Sequence, residues 1–286
     1  MKAMIFGSGG QDGFYLSRLL EQKNIQVIGV DKSPGQVSIT DTEGIRAFIH
    51  SHQPSFIFHL AAHSTTRHDA WKENHETICT GTLNILEAAR SSLQPAKVFI
   101  SGSGLQFENT GLPIKETDPF AASSLYAVSR IQSVYAARYY RSIGLPVYAG
   151  YFFNHDSPYR DEKHINKKIM ETARRIAAGT KEKLSVGDLS AEKEFGFAGD
   201  IVEGIWTLVS QDHVYEAVIG TGIAHSIAEW VKICFDLFGL NWEDHVVPDP
   251  GFIPPYKRLV ADPATIISLG WRPKTSIHQL AEKMKG

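Results

Sequence analysis

The segment KAMIFGSGGQDG, residues 2–13, joins a short apolar run to a glycine-rich turn. Its first five residues predict a buried strand, and Phe14 to Gln22 continues from the turn with helical periodicity. Gly7, Gly10 and Gly13 have the spacing G-x-x-G-x-x-G, in which glycine lets the backbone turn tightly and approach a pyrophosphate at a helix N-terminus. The segment therefore predicts the first strand, loop and helix of a dinucleotide-binding fold.

Short apolar runs and helical patterns continue to alternate through the first half of the chain. Further strands are predicted at Gln26–Val30, Phe56–Leu60, Lys97–Ile100 and Val147–Tyr151, and helices at Thr42–His50, Lys72–Ser91 and Ser123–Ser142. This order predicts a parallel sheet with helices on both faces, which is a Rossmann-type, doubly wound α/β fold.

The alternation breaks at about residue 155, where short helical patterns mix with glycine- and proline-bearing loops such as the one marked by Pro250 and Pro254. We expect an NAD(P)-binding Rossmann domain at residues 1–154. Residues 155–286 are expected to form mainly a smaller α/β substrate-binding lobe, with a strand near 216–220 returning to complete the sheet.

Composition narrows the classes of partner and the compartment. With 29 Lys and Arg against 31 Asp and Glu, the net charge of −2 gives no support for a nucleic-acid partner or an anionic membrane surface. No apolar run approaches the roughly 18 residues that span a bilayer. Cys79 and Cys234 are far apart in apolar helical patterns, which favours buried free thiols in a reducing cytoplasm, and no Cys/His spacing predicts a metal.

The second predicted strand ends at an acidic residue, Asp31. A carboxylate at this place accepts hydrogen bonds from the adenosine ribose hydroxyls and repels a 2′-phosphate. The sequence therefore favours NAD, while the neighbouring Lys32 leaves NADP open.

Several segments resemble those of the GDP-mannose 4,6-dehydratases, which are extended short-chain dehydrogenases/reductases. Gly10 to Gly13 resembles the opening of that family, and His59 to Ser64 resembles its strand segment along the cofactor. Gly81 to Ala88 is similar to its dimer-face helix, and Phe153 to Pro158 is close to its F-N-H-E-S-P motif. The resemblance extends to the C-terminus through Leu269 to Pro273.

The resemblance implies an NAD(P)-dependent enzyme acting on a nucleotide sugar, with a GDP-sugar as the expected class, and a homodimer that pairs through the helices around 72–91 and 123–142. It places the cofactor at Gly7, Gly10, Gln11, Asp12, Gly13, Asp31, Leu60, Ala61, Ala62, Ser64, Ser101, Tyr126 and Arg130. It places the nucleotide sugar at Asn154, Arg160, Lys168, Lys193 and Arg258.

The expected catalytic set departs from the family pattern. Tyr126 stands where the family has its catalytic tyrosine, whose free pKa of about 10 requires a nearby cation for work at neutrality. The family's lysine is replaced by Arg130, which keeps the charge in a planar, longer group. The family's S-T-S-E segment has Gly102 for its threonine and Gly104 for its acid-base glutamate, so Ser103 or Ser101 must supply any hydroxyl.

Three functions stay open at this stage. An active enzyme is either an epimerase or ketoreductase, or a dehydratase with rearranged groups, because glycine cannot abstract the C5 proton that 4,6-dehydration removes. A second hypothesis is a catalytically inert protein that binds cofactor and sugar nucleotide in a regulatory role. A third is a reductase of an unrelated carbonyl compound. His155 is an additional candidate proton donor.

Overall fold

A computed structural model describes residues 1–249, 251 and 255–286 of the chain. The strands are β1 (Lys2–Phe6), β2 (Gln26–Val30), β3 (Phe56–His59), β4 (Lys97–Ser103), β5 (Val147–Phe152), β6 (His155–Asp156), β7 (Leu184–Val186), β8 (Glu192–Glu194), β9 (Gly196–Phe197), β10 (Glu216–Ile219), β11 (Ala224–Ser226), β12 (Val246–Pro248) and β13 (Arg258–Leu259).

The helices alternate with these strands in the first half of the chain. They are α1 (Gln11–Gln22), α2 (Thr42–His52), α3 (Trp71–Asn74), α4 (Gly81–Arg90), α5 (Leu125–Ser142), α6 (Ile165–Ala177), α7 (Ala198–Val209), α8 (Ile227–Asp236), α9 (Ala264–Ser268) and α10 (Ile277–Lys285). A π-helical turn at His75–Thr80 joins α3 to α4, so the predicted helix 72–91 is one run with a widened turn inside it.

The central sheet has the order β10-β5-β4-β3-β1-β2, and its strands pair in parallel. The predicted doubly wound parallel sheet and its late strand are therefore confirmed. Strand β10 pairs with β5 from Glu216 opposite Ala149 to Ile219 opposite Phe152. The parallel strands bring their carboxyl ends to a single edge, where a ligand crevice forms in such folds.

The described residues pack into three apolar cores. Two cover the two faces of the sheet, around Ile57 on one side and Phe58 on the other, as the alternation of side chains along a strand requires. The third lies in the C-terminal half, around Trp230, where α6, α8 and α10 pack together. The helix α7 also packs on the sheet, so residues after 154 contribute to the core of the sheet as well as to that of the lobe. The boundary at 154 stays a prediction.

The remaining structural predictions concern cysteines and membranes. Cys79 and Cys234 are unpaired and buried. In the ranges that the structure describes, no helix combines the length and apolar character needed to cross a membrane. Pro250 and Pro254 lie outside the described residues.

Candidate active site

A cleft of about 650 Å³ opens at the carboxyl ends of β3, β4 and β5. Its walls come from the sheet side, including Leu60, Ser101 and Tyr126, and from the lobe, including Lys168 and Lys193. The cleft therefore brings together residues predicted for cofactor, catalysis and substrate.

The phosphate loop has the close packing that its glycines predict. Gly7 has a φ of +93°, and a Cβ added to it would lie 2.7 Å from the amide nitrogen of Ala61. A Cβ on Gly13 would lie 2.3 Å from the carbonyl oxygen of Gly7. At the start of α1, Gly10 has no side chain to cap the helix, and its backbone oxygen accepts the amide of Phe14. No side chain at the N-cap occupies the N–H groups of this first turn, which leaves them to bind an anion such as a pyrophosphate.

The carboxylate of Asp31 lies close to this loop. A Cβ on Gly9 would lie 3.2 Å from an Asp31 carboxylate oxygen. Hydrogen bonds from Ser33 lower the pKa of Asp31, so its carboxylate is anionic at neutral pH. An anion at the end of β2 suits ribose hydroxyls better than a 2′-phosphate.

Tyr126 and Arg130 form a hydrogen-bonded pair one helical turn apart on α5. The Nε of Arg130 donates to the Tyr126 Oη at 3.2 Å, and its Nη1 donates to the carbonyl oxygen and, at 2.8 Å, to the hydroxyl of Ser101. Arg130 is only 5% exposed, so these bonds fix its guanidinium in place. Arg130 consequently holds its charge beside the phenol, where the family's lysine is expected.

The Ser101 hydroxyl is occupied by bonds to other protein groups. It donates to the carbonyl oxygen of His59 at 3.1 Å while accepting from Arg130. Burial, with a further contribution from the charge of Arg130, lowers the pKa of His59 to about 3 and keeps its ring neutral. Both candidate serines line the cleft. The Ser103 hydroxyl accepts the amide of Leu105 at 3.2 Å, which leaves its proton to donate, so it is the better placed of the two to face a substrate.

The two glycines at the altered positions have no room for larger side chains. A Cβ on Gly102 would lie 2.6 Å from the ring of Tyr151, and one on Gly104 would lie 2.8 Å from the Phe153 ring. Both rings are buried, so neither can move aside cheaply. The loop after β4 is therefore packed around glycine, and an acid-base side chain at 104 would require repacking.

Two residues predicted to touch the cofactor direct their side chains elsewhere. Gln11 accepts from the Ser157 hydroxyl at 2.9 Å and donates to the carbonyl oxygen of His155 at 3.3 Å. Asp12 lies 2.9 Å from the Nε2 of His155. The first turn of α1 is thus joined by side chains to the segment 153–158, which the glycine spacing alone could not indicate.

On the lobe side, Lys193 is the most unusual predicted residue. It is 8% exposed and lines the cleft, and no ion pair reaches it among the described residues. Burial lowers the pKa of Lys193 to about 8; attraction to Asp156 opposes this, and repulsion by Arg160 adds to it. An almost buried ammonium without a paired carboxylate is suited to an anionic ligand.

Three other predicted substrate residues line the cleft but differ in their exposure and in their hydrogen-bond partners. Asn154 lines the cleft and accepts from the hydroxyl of Tyr256 at 3.3 Å. Lys168 is exposed on the cleft wall. Arg160 also lines it, but its Nε donates to Asp156 at 2.8 Å.

Arg258 lies outside the residues that line the cleft. Its Nη1 donates to the carbonyl oxygen of Gly111, and its Nε lies 3.0 Å from a Glu192 carboxylate oxygen. The structure does not bring it to the other substrate candidates. Tyr256 and Asp156 were not predicted, since only the folded chain places them beside Asn154 and Arg160.

A group of metal-ligand side chains does not occur within the part of the chain that the structure describes. The polar groups of the cleft are instead cations, hydroxyls, amides and carboxylates, of which Asp156 is paired with Arg160. This arrangement suits an anionic, hydroxyl-rich ligand.

The family model for GDP-mannose 4,6 dehydratase matches residues 4–284. Among similar proteins, "GDP-mannose 4,6 dehydratase 1" of Arabidopsis thaliana is 30% identical over 317 aligned positions, which cover 99% of this chain and 88% of that protein. The GDP-mannose 4,6-dehydratase of Vibrio cholerae serotype O1 is 28% identical, with 99% and 92% covered.

Solved structures give the same fold at lower identity. A UDP-glucose 4-epimerase of Thermus thermophilus, in complex with NAD, has a TM-score of 0.85 at 22% identity and covers 100% of this chain and 99% of its own. RMD from Pseudomonas aeruginosa, complexed with NADPH, has a TM-score of 0.88 at 20% identity, covering 99% and 97%.

Proposed function

The chain belongs to the GDP-mannose 4,6-dehydratase family, and from this premise we propose that it is an NAD(P)-dependent enzyme acting by hydride transfer on a GDP-sugar, of the ketoreductase or epimerase type. The observation that carries the reaction type is the packing of Gly104 against the Phe153 ring, 2.8 Å from where a Cβ would lie. Ordinary 4,6-dehydration needs a base for the C5 proton at this position, and hydride transfer does not.

The proton chemistry is assigned to Tyr126. When bound, NAD(P)H supplies the hydride that reduces a sugar carbonyl carbon. Tyr126 gives its Oη proton to the carbonyl oxygen, so a C–H and an O–H bond form while the C=O π bond breaks and the nicotinamide is oxidised. Arg130, 3.2 Å away, stabilises the tyrosinate that remains, and solvent returns the proton. The opposite sequence oxidises a sugar hydroxyl, as an epimerase requires.

The cofactor is proposed to be NAD, with NADP as the alternative. The uncapped start of α1 and the close approach of Gly7 to Ala61 support a pyrophosphate site, and the anionic Asp31 supports the unphosphorylated ribose. Segment 60–64 then borders the nicotinamide half, since Leu60 and Ser64 line the cleft.

The substrate is proposed to be a GDP-sugar whose diphosphate binds Lys193. Lys168 and Arg160 add positive charge along the same wall, and Asn154 is positioned to read hydroxyls. We further propose that the active form is a cytoplasmic homodimer, and that residues 1–154 and 155–286 divide the cofactor and substrate roles as the sequence predicts.

The test is incubation of the purified protein with a GDP-4-keto-sugar and NADH or NADPH, following reduced-nicotinamide absorbance and product mass. A ketoreductase should oxidise one equivalent of cofactor and add two hydrogens to the sugar, whereas an epimerase should interconvert the reduced GDP-sugars with no net change in cofactor or mass. Tyr126→Phe should lose this activity, while Tyr135→Phe, an exposed tyrosine of the same helix, should keep it. Loss of one water from GDP-mannose, with the cofactor recycled, would instead restore the dehydratase assignment.

A catalytically inert, regulatory binder is the second candidate, favoured by one observation. The Arg130 guanidinium is held by the carbonyl and hydroxyl of Ser101, which leaves it less free than a lysine to bind a nicotinamide ribose. Tight binding of NAD(P) and GDP-sugars without turnover of 4-keto or reduced substrates would establish this alternative.

A further inference from the structure

His155 has hydrogen-bond acceptors at both of its ring nitrogens. Its Nδ1 lies 2.7 Å from the carbonyl oxygen of Phe153, and its Nε2 lies 2.9 Å from a carboxylate oxygen of Asp12. A neutral imidazole has a single N–H and satisfies only one of these acceptors. The imidazolium satisfies both, and since the Asp12 pKa is lowered and that of His155 is raised, the contacts favour the doubly protonated ring beside an ionised Asp12.

The pair lies where the cofactor half of the cleft meets the substrate half. Asp12 is in the first turn of α1, next to the N–H groups that fit a pyrophosphate, and His155 starts β6 on the lobe side. Gln11 makes two parallel links, to Ser157 and to the His155 carbonyl. These contacts make the phosphate loop and the 153–157 segment one hydrogen-bonded unit.

The charge of Asp12 has opposite effects on the helix and on a bound anion. A carboxylate in the first turn interacts favourably with the helix dipole, but it repels a pyrophosphate at the same helix end. The imidazolium of His155 cancels that repulsion only while it keeps both protons. The side chain is 7% exposed, so water screens the interaction weakly.

We propose that His155 is a positioning residue whose imidazolium, paired with Asp12, holds the start of α1 against the lobe and neutralises the carboxylate beside the dinucleotide pyrophosphate, so that cofactor affinity depends on the proton of His155. The affinity part rests on the proposed function. The charged state and the tie between the two segments rest on the contacts alone.

The groups that face His155 are consistent with this assignment. Burial lowers the pKa of His155, but attraction and hydrogen bonding to Asp12 outweigh it and raise the pKa above its usual value. Repulsion by Arg160 is limited because Arg160 pairs with Asp156 at 2.8 Å. Strand β9 presents only Gly196 and Phe197, and the one acid near the start of α7, Asp200, accepts the amides of residues 274 and 275.

The direction of the pH effect follows from this raised pKa. Below it, His155 is protonated and the pair is neutral overall. As pH rises through it, the proton is lost and Asp12 is left as an uncompensated anion. Cofactor affinity should therefore fall by about tenfold or more across that range. Asp12→Asn removes the cause, because a neutral His155 can keep its Nδ1 proton and accept from the new amide.

The first experiment is an NMR titration of the ¹³C-labelled histidine rings in the cofactor-free protein, with the His155 signal assigned from its loss in His155→Gln. His155 should titrate above pH 6.5 in the wild type and lower in Asp12→Asn. A wild-type His155 that is already neutral at pH 6.5 would overturn the inference, and this measurement needs only the wild-type fold.

The second experiment is calorimetric titration with NAD between pH 6 and pH 9. Wild-type affinity should fall as His155 deprotonates, whereas the affinity of Asp12→Asn should show no such fall across the same pH range. Equal slopes in the two proteins would overturn the electrostatic role. Absence of binding of both NAD and NADP at every pH would overturn the proposed cofactor function, while the NMR result would still decide the state of His155.

Discussion

The buried charge of Lys193 at the cleft destabilises the folded state. The fall of its pKa from 10.5 to about 8 corresponds to roughly 3 kcal/mol. A lysine with a lowered pKa destabilises the folded state fully below that pKa, and the penalty is relieved as pH rises towards 10.5. Such an unfavourable buried charge is expected at a ligand site, where a bound anion offsets the cost of burial.

We predict that Lys193→Met stabilises the protein and weakens ligand binding. Its free energy of unfolding at pH 7 should exceed the wild-type value by up to about 3 kcal/mol, and the difference should shrink between pH 8 and 10. Affinity for GDP should fall at least about tenfold. Urea unfolding and calorimetry measure the two effects.

The exposed Lys168→Met is the matched control, since it removes a cation from the same cleft without relieving burial. It should leave the free energy of unfolding within about 0.5 kcal/mol of wild type. A Lys193→Met protein that is less stable than wild type at pH 7 would contradict the assignment of a strained charge.

The close packing of Gly104 against the Phe153 ring leads to a second prediction. Gly104→Ala should cost about 1–3 kcal/mol, because the new methyl group meets the Phe153 ring at 2.8 Å. In a Phe153→Leu background the same substitution should cost clearly less, since the obstructing ring atoms are gone. A double-mutant cycle from urea unfolding measures the coupling, and equal costs in both backgrounds would show that Phe153 is not the obstacle.

At the scale of elements, strand β10 is held at the sheet edge by a charged cluster at its first residue. The Glu216 carboxylate accepts from Arg138 at 2.9 and 2.7 Å, from Arg141 at 2.9 Å and from the Tyr151 hydroxyl at 2.5 Å. It therefore ties β10 to both α5 and β5. Burial opposes ionisation, but these partners outweigh it and lower the pKa of Glu216.

Glu216→Gln should lower the free energy of unfolding by about 3 kcal/mol at pH 7, because it leaves two guanidinium groups without their carboxylate. Since the folded pKa is lowered, this contribution is present above pH 4.5 and is lost as pH falls through the folded value. The difference between variant and wild type should therefore shrink in acid.

The control for Glu216 is Glu43→Gln, which breaks an exposed pair with Arg46 and should cost less than about 1 kcal/mol. Urea unfolding at pH 7 and pH 4 compares the two. Hydrogen exchange of the β10 amides should rise first in Glu216→Gln. Similar losses in the free energy of unfolding of the two variants would contradict a special role for the Glu216 cluster.

The elements that the sequence predicts well are those with local signals. The central strands are apolar runs followed by helical periodicity, so their positions follow from the chain itself. Strands such as β6 and β9 have two residues each and exist only because distant segments pair, so no local pattern indicates them.

In the candidate site, too, the features with a local sequence signal were predicted and those that depend on distant residues were not. The glycine spacing predicted a tight turn between β1 and α1, because a closely packed backbone has no room for other side chains there. It could not predict that Gln11 and Asp12 turn towards the 153–158 segment, or that Arg258 pairs with Glu192. Those outcomes depend on partners more than 60 positions away, which charge and spacing do not identify. Side-chain direction is thus the information that only the folded molecule supplies.

At the scale of the whole molecule, three apolar side chains left exposed along the C-terminal half of α5 have one spacing. Tyr135, Tyr139 and Ile143 are four positions apart, so they form a stripe along α5 and its C-cap, and they are 58%, 61% and 49% exposed. Leu83 on α4, which packs beside α5, is also 49% exposed. A paired α4–α5 surface would remove this stripe from water, which is the dimer that the family resemblance implies.

We therefore predict a dimer at micromolar concentration in sedimentation-velocity experiments. Tyr139→Glu places a charge in the middle of the stripe and should shift the protein towards monomer by at least about tenfold in dissociation constant. Leu112→Glu, which charges an exposed leucine on a loop, should leave the association unchanged. A wild-type monomer, or equal effects of the two substitutions, would contradict this interface. The helix α5 also carries Tyr126 and Arg130. Loss of the dimer should therefore reduce turnover by a larger factor than it reduces the equilibrium constant for folding.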